Sequence, residues 1–121
     1  MKKDYLNPKE LNKPKFCTHH VSGQVSWDAA GAVVGKGDMR AQSEQVFKNV
    51  TAALKAAGAG WEDVVKMNGY MVGMNAERVA AYREARQRFL KEGALPASTL
   101  VGVEALVHPD LLLEVEVVAA L

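Results

Sequence analysis

The stretch "LPASTLVGVEALVHPDLLLEVEV", residues 95–117, is apolar almost throughout and contains no Lys or Arg. Pro96 interrupts the chain, after which "STLVGVEALV" and "LLLEVEVVAAL" read as two strands joined by "HPD" in a hairpin-like connection. Successive strand residues point to opposite faces. Leu113, Val115 and Val117 therefore face one way, and Leu112, Glu114, Glu116 and Val118 the other. Both faces carry apolar side chains, so both need cover, yet one of them also carries two carboxylates with no cation nearby in the chain.

Upstream of this stretch the pattern alternates between strands and helices. "FCTHHVSGQVS" reads as a strand, "DAAG" at 28–31 as a turn, and "AVVG" as a short second strand ending in the Gly35–Gly37 loop. Asp38 is placed to cap a first helix, whose stripe is Phe47, Val50, Leu54 and Ala57. "GAG" at 58–60 stops it. "WEDVVKMNGYMVGM" follows as a strand. Asn75 caps a second helix with the stripe Val79, Tyr82, Phe89 and Leu90, closed by Gly93. The order expected is β-β-α-β-α-β-β, an α+β arrangement. Two helices cover one face of such a sheet, so the other is expected to be polar or hidden by another copy of the chain.

Composition sets outer bounds on function. A chain of 121 residues with 49% hydrophobic and 24% charged residues is expected to form one domain with a proper core. Residues 1–15, polar and containing Pro8 and Pro14, read as an N-terminal arm. The formal net charge is +1, so neither nucleic acid nor an anionic membrane is an expected partner. The average conceals an asymmetry, because all Lys and Arg lie in residues 1–91 while Glu92, Glu104, Asp110, Glu114 and Glu116 follow without a base. No segment approaches the ~20 apolar residues of a membrane span. No apolar run follows the first lysines, so no secretory signal is expected. The single Cys17 excludes an internal disulfide. A cytoplasmic protein is the expectation.

Several motifs suggest chemistry. Cys17 and His19 share a strand face and permit a thiol–imidazole pair, against a plainer reading as a polar strand with a buried small thiol. "GKGD" at 35–38 lacks the Lys-Ser/Thr of a phosphate loop and reads as a loop-to-helix junction. Arg78, Arg83, Arg86 and Arg88 read as a solvated helix face with Glu84 nearby. Arg86, however, falls between Tyr82 and Phe89 on the apolar stripe, where it could serve as an interface cation. Glu114 and Glu116, two apart on one face, are the sharpest feature. They could line a solvent face, pair with a neighbour's cation, or act as an acid or base in a cleft.

Taken together, "VSGQVSWDAAGAVVGKGDMRAQSEQVFKNVTAALKAAGAGWEDVVKMNGYM", "PASTLVGVEAL" and "LLLEVEVVA" resemble the Rid superfamily, YjgF-like reactive intermediate deaminases also labelled endoribonuclease L-PSP. The resemblance runs from about Val21 to the C-terminus. It implies a chorismate-mutase-like fold, a mixed sheet with two helices on one face. It implies a homotrimer with clefts between subunits, a small-molecule ligand, and cofactor-free, metal-free hydrolysis of imines and enamines with release of ammonia.

Residue by residue, the resemblance assigns the cleft glycine to Gly23 and the water-positioning carboxylate to Glu114. The arginine expected in a Pro-x-Arg-Ser/Thr motif is replaced, since "PAST" puts Ser98, followed by Thr99, at that point. The asparagine expected on the second helix is replaced by Tyr82 or Ala81. Phe16 is at best a shifted counterpart of the family's N-terminal aromatic. An arginine–carboxylate contact is worth on the order of 1.5–3 kcal/mol, so Ser98 alone should bind an α-imino acid ten- to a hundred-fold more weakly. A non-catalytic metabolite-binding or protein-interaction module on the same scaffold is the alternative expectation. Ribonuclease activity ranks low, because the stretch after Lys91 offers no base to hold phosphate. Chorismate mutase activity is disfavoured by a cleft of carboxylates, unless Arg86 enters from a neighbour.

Overall fold

A computed structural model describes residues 17–121; the expected N-terminal arm and Phe16 lie outside the described residues. The strand alternation expected at the C-terminal end forms as β4, Leu113–Ala120. Leu113, Val115, Val117 and Ala119 are buried, while Glu114, Glu116, Val118 and Ala120 are half-buried on the opposite face. Leu112 departs from the expected parity. It precedes the strand and is buried in the core rather than set beside the carboxylates.

The remaining elements are β1, Thr18–Val25, α1, Met39–Ala56, β2, Val64–Val72, α2, Ala76–Phe89, and β3, Ala97–Val103. They form one sheet in the order β1-β4-β2-β3. β4 pairs antiparallel with β1 and with β2, and β2 pairs parallel with β3. The expected mixed sheet with both helices on one face is present, with two differences in detail. "AVVG" makes no full strand; a single bridge, Trp27 to Val33, remains. Gly31 and Gly35, both at positive φ, turn the chain on either side of it and leave too few residues to extend a ladder. The last two strands form no hairpin either, because β2 lies between them and the chain crosses from one side of β2 to the other through residues 104–112.

α1 lays its apolar stripe on β4 and β1, and α2 packs against α1 with Tyr82 over Gly69 of β2. Asp38 accepts a hydrogen bond from the Ala41 N–H and Asn75 one from the Arg78 N–H, so both helices begin at the capping residues expected of them. Phe47, fully buried on α1, is the centre of the core. Its ring lies 5.4 Å from Trp61, 5.8 Å from Tyr82 and 5.5 Å from Phe89, tying both helices and the turn before β2 together. Met67 and Met71 of β2 complete the layer.

A buried polar residue fastens the loops to this core. Gln42, fully buried on α1, donates to the Gly35 carbonyl at 3.1 Å and the Asp110 carbonyl at 2.8 Å, and accepts from the Leu112 N–H at 2.8 Å. Asn49 does similar work about two turns further on, donating to the Val25 and Trp27 carbonyls at 2.9 Å each. Replacing Gln42 by Leu keeps the volume but orphans one buried donor and two acceptors, each worth about 1–3 kcal/mol. Denaturant unfolding of Gln42→Leu is expected to show a loss of about 3 kcal/mol, summed non-additively over those groups, with an unchanged m value.

Candidate functional site

The face of the sheet away from the helices collects the polar side chains. Along β2, alternation puts Met67, Gly69 and Met71 toward the core and Lys66, Asn68 and Tyr70 on the open face. Register places Asn68 beside Glu116 and Tyr70 beside Glu114. Lys66 donates to Thr99 Oγ1 of β3 at 3.1 Å, which fixes Thr99 on the same face. A cavity of about 390 Å³ opens here, lined by His20, Ser22, Lys66, Asn68, Glu116 and Val118.

The two carboxylates have different surroundings. Glu116 Oε1 accepts from the Tyr70 hydroxyl at 2.5 Å and from Asn68 Nδ2 at 3.2 Å. These donors, Tyr70 foremost, hold the Glu116 carboxyl below the usual carboxylate range against the opposing effect of burial. The same bond, with burial and the charges of Glu116 and Glu114, pushes the Tyr70 phenol up. Glu114 has no hydrogen bond or ion pair among the described residues. It is instead placed by Gly23. β1 carries a bulge between Val21 and Gln24, where three steps along β1 span two along β4. The bulge brings Gly23 under the Glu114 side chain so closely that a Cβ at residue 23 would overlap Oε1. Only glycine leaves room for the carboxylate there.

Ser98, Tyr82 and Arg86 lie elsewhere. Ser98 is in register with Met67, so it faces the helices rather than Glu114. Tyr82, 1% exposed, packs over Gly69, and its hydroxyl makes no hydrogen bond among the described residues. Burial raises its pKa, opposed by the Arg86 charge and by the nearby Ser98 and Arg86 donors. Arg86 follows one turn later on α2 and borders a cavity of about 620 Å³ with Leu90, Lys91 and Leu95. One chain therefore joins Gly23 to Glu114 on the open face and Ser98 to Tyr82 and Arg86 on the helix face, but does not join the two groups. Thr99 belongs with the open face.

Other expectations resolve simply. Cys17 Sγ lies 3.2 Å from His19 Nε2, as their shared face allows, but the thiol is exposed rather than buried because it sits at the end of β1. Gly35 and Gly37 adopt positive φ ahead of the Asp38 cap, a loop-to-helix junction. Of the α2 arginines, Arg88 pairs with Glu44 and Glu84, whereas Arg78 turns inward to the Val72 and Gly73 carbonyls. Asn68 and Tyr70 were not anticipated as site residues, although the period-2 pattern of "KMNGY" already put them on one face.

Comparison with known proteins agrees with this architecture. Residues 17–121 match the family described as Endoribonuclease L-PSP. A RutC family protein of Synechocystis sp. is 35% identical over 101 residues, spanning 83% of this chain and 75% of that protein. The 2-iminobutanoate/2-iminopropanoate deaminase of Dermatophagoides farinae is 30% identical over 89 residues, spanning 74% and 67%. The crystal structure of a Rid family protein from Yersinia pestis superposes with a TM-score of 0.78 at 40% identity, covering 86% of this chain and 78% of that one. With the sheet order and the helix placement in agreement, the chain belongs to the endoribonuclease L-PSP family of the Rid (YjgF-like) superfamily, with its chorismate-mutase-like fold.

Proposed function

We propose that the protein binds a small metabolite in clefts between the subunits of a homotrimer and hydrolyses an imine or enamine there, releasing ammonia. One observation carries the reading: Glu114, a carboxylate without a partner among the described residues, is seated over a glycine that has no side chain to displace it. A carboxylate so placed can accept a proton from water as its oxygen attacks the imine carbon. The C–O bond forms and the nitrogen takes the proton back to give the carbinolamine; Glu114 then passes the hydroxyl proton to nitrogen as the C–N bond breaks, leaving a carbonyl compound and ammonia. The step is a hydrolysis throughout and transfers no electron.

The trimer enters for two reasons. Both helices lie on one face, and the other face shows Val72, Val118 and an exposed Val101 around its polar groups, a surface that a second copy would cover. The two groups of site residues also lie on opposite faces of one chain, so a cleft containing both must be built from two chains. The deaminase named among the relatives supports the reaction class.

The test is ammonia release from freshly generated 2-aminoacrylate and from neutral imines. Turnover above the uncatalysed background is expected, with a loss of about 10²–10⁴-fold in Glu114→Ala. Binding with no turnover of any of these compounds would overturn the hydrolase reading in favour of a binding module.

The unlike surroundings of Glu114 and Glu116 give a second expectation, read by pH. Because the folded pKa of Glu116 is lowered, its stabilising contribution is present above the ordinary carboxylate pKa and is lost as pH falls through the folded value. Tyr70→Phe removes the principal donor. Carboxyl-carbon NMR should then show the Glu116 titration move up toward the ordinary range, and acid unfolding should begin at higher pH.

A further inference from the structure

We propose that the open-face cavity between Glu116, Lys66 and His20 is a second ligand site, separate from Glu114, that takes a small zwitterion of the amino-acid class. The first observation concerns Glu116. Both of its donors, Tyr70 and Asn68, bond the same oxygen, Oε1, and Oε2 has no donor among the described residues. The two donors are neutral, so they keep the carboxylate ionised without cancelling its charge.

The second observation is that Lys66 does not answer this charge. Glu116 stands opposite Asn68, and Lys66 precedes Asn68 by two residues on the same face, which makes it the diagonal neighbour of Glu116. Diagonal neighbours lie about 7–8 Å apart, within reach of two long side chains. Lys66 nevertheless donates to Thr99 on the far side, at 3.1 Å, and pairs with no acid among the described residues. A cation and an anion are thus held at two sides of one cavity without meeting.

The third observation is the space between them. Val118 of β4 pairs with Lys66 on one side and with His20 on the other, setting an apolar floor between two nitrogen-bearing side chains. The cavity of about 390 Å³ takes in all three together with Ser22 and Glu116. A lone anion entering it is repelled by Glu116, and a lone cation by Lys66. A zwitterion avoids both costs. Its ammonium donates to Glu116 Oε2, its carboxylate accepts from Lys66 and His20, and a short apolar side chain rests on Val118.

The place differs from that of the hydrolysis proposed above and does not depend on it. Val118 and Glu114 are four residues apart on β4, about 13 Å along a strand. A small ligand seated between Glu116 and Lys66 therefore leaves Glu114 clear.

The test is an NMR titration of the full chain with L-alanine at constant ionic strength, with propanoate and ethylammonium as the single-charge controls. L-Alanine should shift the Glu116 carboxyl, Lys66 ammonium and His20 ring signals, and both controls should bind at least about tenfold more weakly. Lys66→Gln and Glu116→Gln should each weaken L-alanine by about tenfold. Lys66→Arg, which keeps the charge, should recover most of that loss, whereas a lysine needed only for its bond to Thr99 would show no such dependence on charge. Glu114→Ala should bind L-alanine as the unaltered chain does. Equal binding of either control, unchanged affinity in Lys66→Gln, or loss of L-alanine binding in Glu114→Ala would overturn the assignment. Ammonia release that needs Glu114, with no binding of L-alanine, would sink this site and leave the hydrolase. Lys66-dependent binding of L-alanine without turnover of any imine would do the reverse.

Discussion

Leu113, Val115, Val117 and Ala119 form a stripe along the middle strand of the sheet that has to be taken out of water, and the rest of the molecule is arranged to do it. α1 lies on that stripe, and α2 packs against α1 and brings Tyr82 over Gly69 of the neighbouring β2, with Phe47, Tyr82, Trp61 and Phe89 forming one aromatic cluster. Gln42 and Asn49 are the polar counterpart. They hold the loops at 35, 110–112 and 25–27 against α1 with buried hydrogen bonds, so the backbone around the site is set by the same helix that covers the core. With both helices committed to one side, the opposite side of the same strands is left to the polar side chains.

The two carboxylates of β4 illustrate how environment divides like groups. Identical side chains two residues apart share a face, yet Tyr70 and Asn68 absorb Glu116 into the sheet while Glu114, above Gly23, meets no partner among the described residues. The bulge in β1 is responsible for the second half of that division. Without the extra residue between Val21 and Gln24, a residue bearing a Cβ would face Glu114 and displace it.

The features legible in the sequence were those that depend on a short window. Helix caps at Asp38 and Asn75, the stripes through Phe47 and Tyr82, and the shared face of Glu114 and Glu116 all follow from periodicities of 3.6 and 2. Features that depend on which strands become neighbours were not legible. "HPD" looked like a hairpin turn because two strand-like segments flank it, but β2 already occupied the position between them. Ser98 is the sharper instance. Its face is set by pairing with Met67, and a slip of one residue would have turned it toward the carboxylates. No local pattern in "PAST" contains that register.

The strand order also constrains how the chain can be made. β4 lies between β1 and β2, yet it is the last of the four to be synthesised. Until residues 113–120 leave the ribosome, β1 has no ladder to join and β2 keeps one edge unpaired. The emerging chain therefore carries both helices and their apolar stripes without the surface they are shaped to cover. Its core closes in one late event, when a single strand inserts between two waiting edges. A nascent molecule of this design is most exposed to mispairing with its neighbours just before β4 joins the sheet.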